Sequence, residues 1–244
     1  MRFSTLALVF AILTICFTSG LTSLSIADPW TDQAELSFID TGGNTETTSL
    51  SVKNTLKGPL SGKLALTWSL SGLLSETDGV TTAEQYFTEI RLDYSISERF
   101  YGFGLGNWKQ DKPAGLDSRT SLGLGAGYKI LTGPVHELSG EAGVNQVSEE
   151  FTDSTDDDYT SGRLFGGYAW NLSESSKLTQ TLEYLTDMDD SNNNQTNTET
   201  AYTSTLSDLL SLKTSYNMQY DNDPPAGFKK TDTKLGVTLV FNLK

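Results

Sequence analysis

The chain has 244 residues, of which 31 are acidic and 17 basic, for a formal charge of −14. This surplus of acid disfavours nucleic acid as a partner. After residue 27 no run approaches the ~18 consecutive apolar residues of a spanning helix, which excludes a helical membrane protein.

In chain order, Met1-Arg2-Phe3 precedes an apolar stretch from Leu6 to Phe17 and a polar segment ending Ser25-Ile26-Ala27. This is the pattern of a secretory signal peptide, 1–27, with Ala27 the last residue removed. Its removal takes 27 of the 244 residues and leaves a single domain of 217, residues 28–244. The only cysteine, Cys16, leaves with the leader, so the mature chain is expected to carry neither a disulfide nor a thiol nucleophile.

From Trp30 onward, short runs alternate apolar and polar residues with period two and are cut by turn-forming residues. The spacing predicts strands over Trp30–Asp40, Thr47–Leu56, Gly62–Leu74, Glu84–Ile96, Phe100–Lys109 and Asp117–Ile130, then Val135–Ser148, Tyr159–Trp170, Lys177–Thr186, Thr198–Leu206, Leu209–Tyr220 and Thr231–Leu243. In the last of these, Leu235, Val237, Leu239, Phe241 and Leu243 share one face. Repeated around a closed sheet, the pattern gives an apolar outside and a wet inside, an all-β, antiparallel, up-and-down transmembrane β-barrel of about 12 strands. The rival fold is a soluble β-sandwich, whose apolar faces would cover each other.

The predicted connections alternate. Gly58-Pro59, Ser97-Glu98, Gly133-Pro134, Ser173–Ser176 and Ser207-Asp208 are tight; Thr41–Glu46, Ser75–Ala83, Gln110–Leu116, Glu149–Asp158, Asp187–Asn197 and Asp221–Lys230 are longer, polar and rich in acid. In outer-membrane barrels the short turns are periplasmic and the long loops external. That order places Trp30, Tyr94, Tyr101, Tyr128, Tyr168, Trp170 and Phe241 near one end, and Tyr86, Trp108, Tyr184 and Tyr220 near the other, as two aromatic girdles.

Alternation assigns Lys63, Glu89, Arg91, Asp93, Lys129, Glu141, Glu183, Lys213 and Lys234 to the lumen, where charge meets water or other charge instead of lipid. The glycine rows Gly102, Gly104, Gly106 and Gly123, Gly125, Gly127 are expected on the same inner face, leaving room in a narrow interior. Lying within strands, they form no nucleotide-binding loop.

Little points to catalysis. The one histidine, His136, sits in a predicted periplasmic turn, whereas a Ser-His enzyme of the outer leaflet needs its histidine at the other rim. No enzyme activity and no cofactor is expected. Asp153, Asp156, Asp157 and Asp158, with Asp187, Asp189 and Asp190, form oxygen-rich candidate cation-binding loops that could share divalent cations with lipopolysaccharide phosphates, although they lack the spacing of a known metal loop.

The segments Ala34-Glu35-Leu36-Ser37-Phe38, Thr41-Gly42-Gly43-Asn44-Thr45, Tyr94-Ser95-Ile96-Ser97, Tyr101-Gly102 and Thr231 to Leu239 resemble the YdiY-like family of salt-induced outer-membrane proteins, a domain family of unknown function. The resemblance spans nearly the whole mature chain and implies a bacterial outer-membrane barrel without an established reaction. Its partners would be outer-membrane lipid, lipopolysaccharide and the barrel-assembly machinery. Barrels of this kind usually end in an aromatic residue, whereas this chain ends Phe241-Asn242-Leu243-Lys244; Phe241 and Leu243 are the expected assembly signal. The expected function is a structural barrel or a narrow, porin-like channel for small hydrophilic solutes or ions. The alternative is a surface-binding protein or adhesin acting through the acidic outer loops.

Overall fold

A computed structural model describes residues 30–41, 46–224 and 227–243. The predicted leader, 1–27, lies outside the described residues. Twelve strands follow in order: β1 (Thr31–Thr41), β2 (Thr47–Pro59), β3 (Leu64–Thr77), β4 (Val80–Ser95), β5 (Phe100–Asp111), β6 (Leu116–Thr132), β7 (His136–Phe151), β8 (Asp156–Ser173), β9 (Ser176–Asp187), β10 (Asn194–Thr205), β11 (Leu210–Asp221) and β12 (Thr231–Leu243). Each pairs antiparallel with its sequence neighbours, and β1 pairs with β12 to close a barrel. A closed sheet leaves no second layer to cover its outer face, so the sandwich is ruled out.

The outer face is apolar and uncovered. Leu122, Leu124, Leu164, Leu182, Leu235 and Val237 are all exposed there, far more greasy surface than a water-soluble monomer shows. Among the described residues, no helix is long and apolar enough to cross a membrane; in this architecture the strands would do so.

Two expectations need correction. The polar connections are shorter than their composition implies, because the strands run on past them. Ser75–Ala83 is almost all ladder, closed by Asp78 and Gly79 with φ of 50° and 77°. Two successive positive φ values make the tight hairpin turn that Asp-Gly favours. The carboxylate of Asp78 also accepts a hydrogen bond from the Glu46 amide at 2.8 Å. Asp156–Asp158 likewise belong to β8, and Asn194–Asn197 to β10.

The second correction concerns β5. Its register pairs Gly102, Gly104 and Gly106 with Ala126, Leu124 and Leu122, which puts these glycines on the outer face. Tyr101, Phe103 and Leu105 therefore point into the lumen, where Phe103 and Leu105 are buried. Tyr101 thus leaves the girdle; the other ten aromatic residues assigned to the two bands keep the outward side. Gly123, Gly125 and Gly127 do face inward, and they are the floor on which the β5 rings lie. Phe103 sits opposite Gly125 and Tyr101 opposite Gly127, and a Cβ at Gly127 would meet the Tyr101 ring at 2.2 Å.

Candidate functional site

The lumen is divided. Between β4 and β9 rings and arginines lie over the inward glycines of β6 and bond to one another; from β10 round to β3 the inward row mixes small hydroxyls with amides and spaced charges.

The filled half is organised around Glu141 on β7, only 8% exposed. Its two oxygens accept hydrogen bonds from Arg91 on β4 at 2.8 and 3.1 Å, from Arg163 on β8 at 2.8 Å and from the Tyr101 hydroxyl at 2.7 Å. Arg91 is held from behind by Asp93 at 2.7 Å, and Arg163 by Glu183 at 2.7 Å. The Phe103 ring is flanked by both guanidinium groups, at 4.4 Å for Arg91 and 5.4 Å for Arg163. Two cations share the π-face of one ring while a carboxylate joins them, so charge, ring and hydrogen-bond geometry are satisfied together.

Nearer the loop end, Arg119 on β6 pairs with Glu149 at 2.5 Å and donates across the bore to Gln195 on β10 at 2.9 Å. Tyr159 donates to the same Glu149 at 2.7 Å. Three strands separate β6 from β10, so this bond spans the lumen.

On the open half, Lys213 on β11 lies 3.3 Å from Glu35 on β1 and 3.2 Å from Glu199 on β10. Lys53 on β2 is 3.8 Å from Glu35. Between these charges the wall is set by residues such as Ser51, Ser71 and Thr238, in register with Ser37, Val52's neighbour Lys53 and Lys213 respectively.

Of the nine residues assigned to the lumen, Glu89, Arg91, Asp93, Glu141, Glu183, Lys213 and Lys234 lie on inward positions of the strands. Lys129 shares that face but sits exposed near the turn end, and Lys63 occupies the β2–β3 turn. The pattern missed Glu35, Lys53, Arg119, Glu149, Arg163 and Glu199. Arg163 was readable in principle: Tyr159, Ser161, Arg163 and Phe165 alternate with Thr160, Gly162, Leu164 and Gly166. The signal was masked because this inner row contains rings and the outer row glycines.

The acidic loops do not gather a metal site: among the described residues no three His, Cys, Asp or Glu side chains converge. Their carboxylates cap their own turns instead. Asp153 accepts from the Thr155 hydroxyl at 2.6 Å and amide at 3.0 Å, bonds that hold its carboxyl below the usual aspartate range. Asp187 accepts from the Asp189 amide and Asp190 from the Asn192 amide. Added calcium is accordingly expected to leave the thermal unfolding midpoint unchanged, which circular dichroism would check.

His136 opens β7 at the turn end, its Nδ1 2.8 Å from the Tyr168 hydroxyl, its ring stacked with Tyr168 and tilted against Trp170. Phe241 and Leu243 keep their places on the last strand, opposite Ala34 and Asp32 of β1.

Known proteins match this geometry. The COG4313 outer membrane channel from Pseudomonas putida F1 aligns over 88% of this chain and 94% of its own, with a TM-score of 0.51 at 14% identity. The NanC porin aligns over 87% and 97%, with a TM-score of 0.50 at 7% identity. Likeness at that identity concerns the fold alone, that of an outer-membrane β-barrel. In sequence, the uncharacterized protein YdiY of Escherichia coli (strain K12) is 26% identical over 222 residues, 90% of this chain and 85% of that one. The family profile described as "Protein of unknown function, DUF481" matches residues 34–243, so the chain belongs to the DUF481 family.

Proposed function

We propose that this chain resides in the bacterial outer membrane and passes small hydrophilic solutes or ions through the open half of its lumen. The observation that carries the reading is the division of the bore: the Arg91–Glu141–Arg163 assembly fills one side, while the opposite wall carries small hydroxyls and spaced charges. A conduit bounded in this way is narrow and polar along one wall. The exposed apolar belt supports placement in lipid, with the turn end and both strand termini on the periplasmic side. Lipid and lipopolysaccharide would then surround the barrel, and Phe241 and Leu243 would be read during assembly.

Planar-bilayer recording of the refolded chain tests the channel. Small, discrete conductance steps are expected, raised by Phe103→Ala, which empties the filled half, and lowered by Ser71→Trp, which obstructs the open one. A folded, membrane-inserted chain without conductance steps would leave a purely structural barrel.

A further inference from the structure

At the loop end the two walls of the bore come within reach of each other. Arg119 on β6 and Gln195 on β10 bond across it, and the Gln195 amide donates onward to Asp221 on β11 at 3.1 Å. This chord cuts off a lobe beneath β7 to β9 and leaves a second lobe, bounded by β11 round to β5 and continuous with the open half. Lys109 and Asp111 of β5 face into the second lobe, as do Asp221 of β11 and Asp232 of β12, all on inward rows of the register. Four strands separate β5 from β12 by the shorter way round, yet the Lys109 ammonium interacts electrostatically with both Asp221 and Asp232, and Asp111 with Asp232. The passage is therefore narrow at this level.

The charges around this constriction do not cancel. Arg119 is matched by Glu149, and Asp111 is held by the Gln85 amide at 2.9 Å. Lys109 makes no hydrogen bond or ion pair among the described residues, so one ammonium answers three carboxylates, Asp111, Asp221 and Asp232. The wider rim has the same sign. Residues 41–46, 76–84, 111–117, 149–158, 187–197 and 221–232 hold 18 of the 31 acids and 3 of the 17 bases, and Lys109 and Arg119 just below raise the bases to five. Lys229 and Lys230 are in that count, and Lys230 is held at 3.2 Å by Asn222. The stretches 42–45 and 225–226, outside the described residues, carry no charged residue. Elsewhere after residue 27 the signs nearly balance, with 13 acids and, Arg2 of the leader set aside, 11 bases. A potential of one sign is focused in a cleft with low-dielectric walls and concentrates counter-ions there.

We propose that this loop-end constriction makes the conduit selective for small cations, with Asp221 and Asp232 setting the sign and Lys109 opposing them. The inference deepens the channel reading and rests on it. Removing the aspartates and removing the lysine should shift selectivity in opposite directions, which a merely structural role for these side chains would not do.

The test is the reversal potential of the refolded chain in a planar bilayer under a dilute KCl gradient, where the Debye length exceeds the ~8 Å of physiological salt. Potassium is expected to permeate about fivefold better than chloride, the scale of a potential of about one kT that attracts one ion and repels the other. Asp221→Asn with Asp232→Asn should bring the two ions close to equal permeation, and Lys109→Gln should widen their difference. Concentrated KCl should erase the preference of the unaltered chain. If the double variant loses heat-modifiable mobility, Asp232→Asn alone, whose carboxylate makes no hydrogen bond among the described residues, should still lower the preference. Chloride preference, equal permeation in dilute salt, or aspartate and lysine variants that shift the ratio the same way or not at all would each overturn the selectivity while leaving the channel. A chain that folds and inserts without conductance steps overturns the channel reading first, and the selectivity with it.

Discussion

Glu141→Ala is expected to destabilise the barrel by about 3 kcal/mol, because it strips the shared acceptor from the buried Arg163, the half-buried Arg91 and the Tyr101 phenol at once. Arg91 retains Asp93 and Arg163 retains Glu183, so neither charge is abandoned. The loss arises from two cations left flanking one ring with no anion between them. Glu141→Gln should cost less, since its carbonyl oxygen still accepts from one arginine. Urea titration of the chain refolded in vesicles would measure both; a change under about 1 kcal/mol for the alanine variant would place these bonds in the weak, solvent-screened class.

Gly125→Val should prevent the barrel from forming. A Cβ at this position would lie 2.5 Å from the Ala142 carbonyl oxygen, 2.8 Å from the Gly143 Cα and 2.5 Å from the Phe103 ring. Two of the three neighbours are backbone, so truncating Phe103 would not relieve the clash, and the cost exceeds the ~1–3 kcal/mol of ordinary overpacking. Gly104→Ala and Gly166→Ala are the contrasting cases. The nearest atom to a Cβ at Gly104 is 3.9 Å away, and at Gly166 nothing lies within 4 Å. Heat-modifiable gel mobility should therefore be lost for Gly125→Val and kept for the other two. Loss at Gly104 as well would contradict the outward placement of that glycine row.

The barrel could be read from sequence because lipid and water impose opposite demands on alternate residues. The periplasmic half of β4, with Ile90, Leu92 and Tyr94 against Glu89, Arg91 and Asp93, obeys them, while nearer the loops Phe87 already breaks the pattern on the inner face. The reading failed where a third environment intervened. Inside the filled half, Phe103 and Leu105 pack against protein, so on β5 an apolar side chain no longer marks the lipid side. Asp78-Gly79 carries a hairpin signal that its polar neighbours mask. The partners of Glu141, by contrast, lie 50 residues before it and 22 after it. Arg163 reaches Glu141 from the adjacent strand, but only curling of the sheet brings Arg91 across from β4, and no local periodicity encodes that.

The bond from Arg119 to Gln195 joins residues 76 apart in the chain, and the bond from Arg91 to Glu141 joins residues 50 apart. Neither can exist while the sheet is still a flat or half-curled ribbon. Such tethers are expected to form after the rate-limiting step and to act as a clasp on the finished cylinder rather than as its seed. Weakening them should thus hasten unfolding while leaving the rate of insertion and closure nearly untouched, so their role is to lengthen the lifetime of the folded protein rather than to speed its birth.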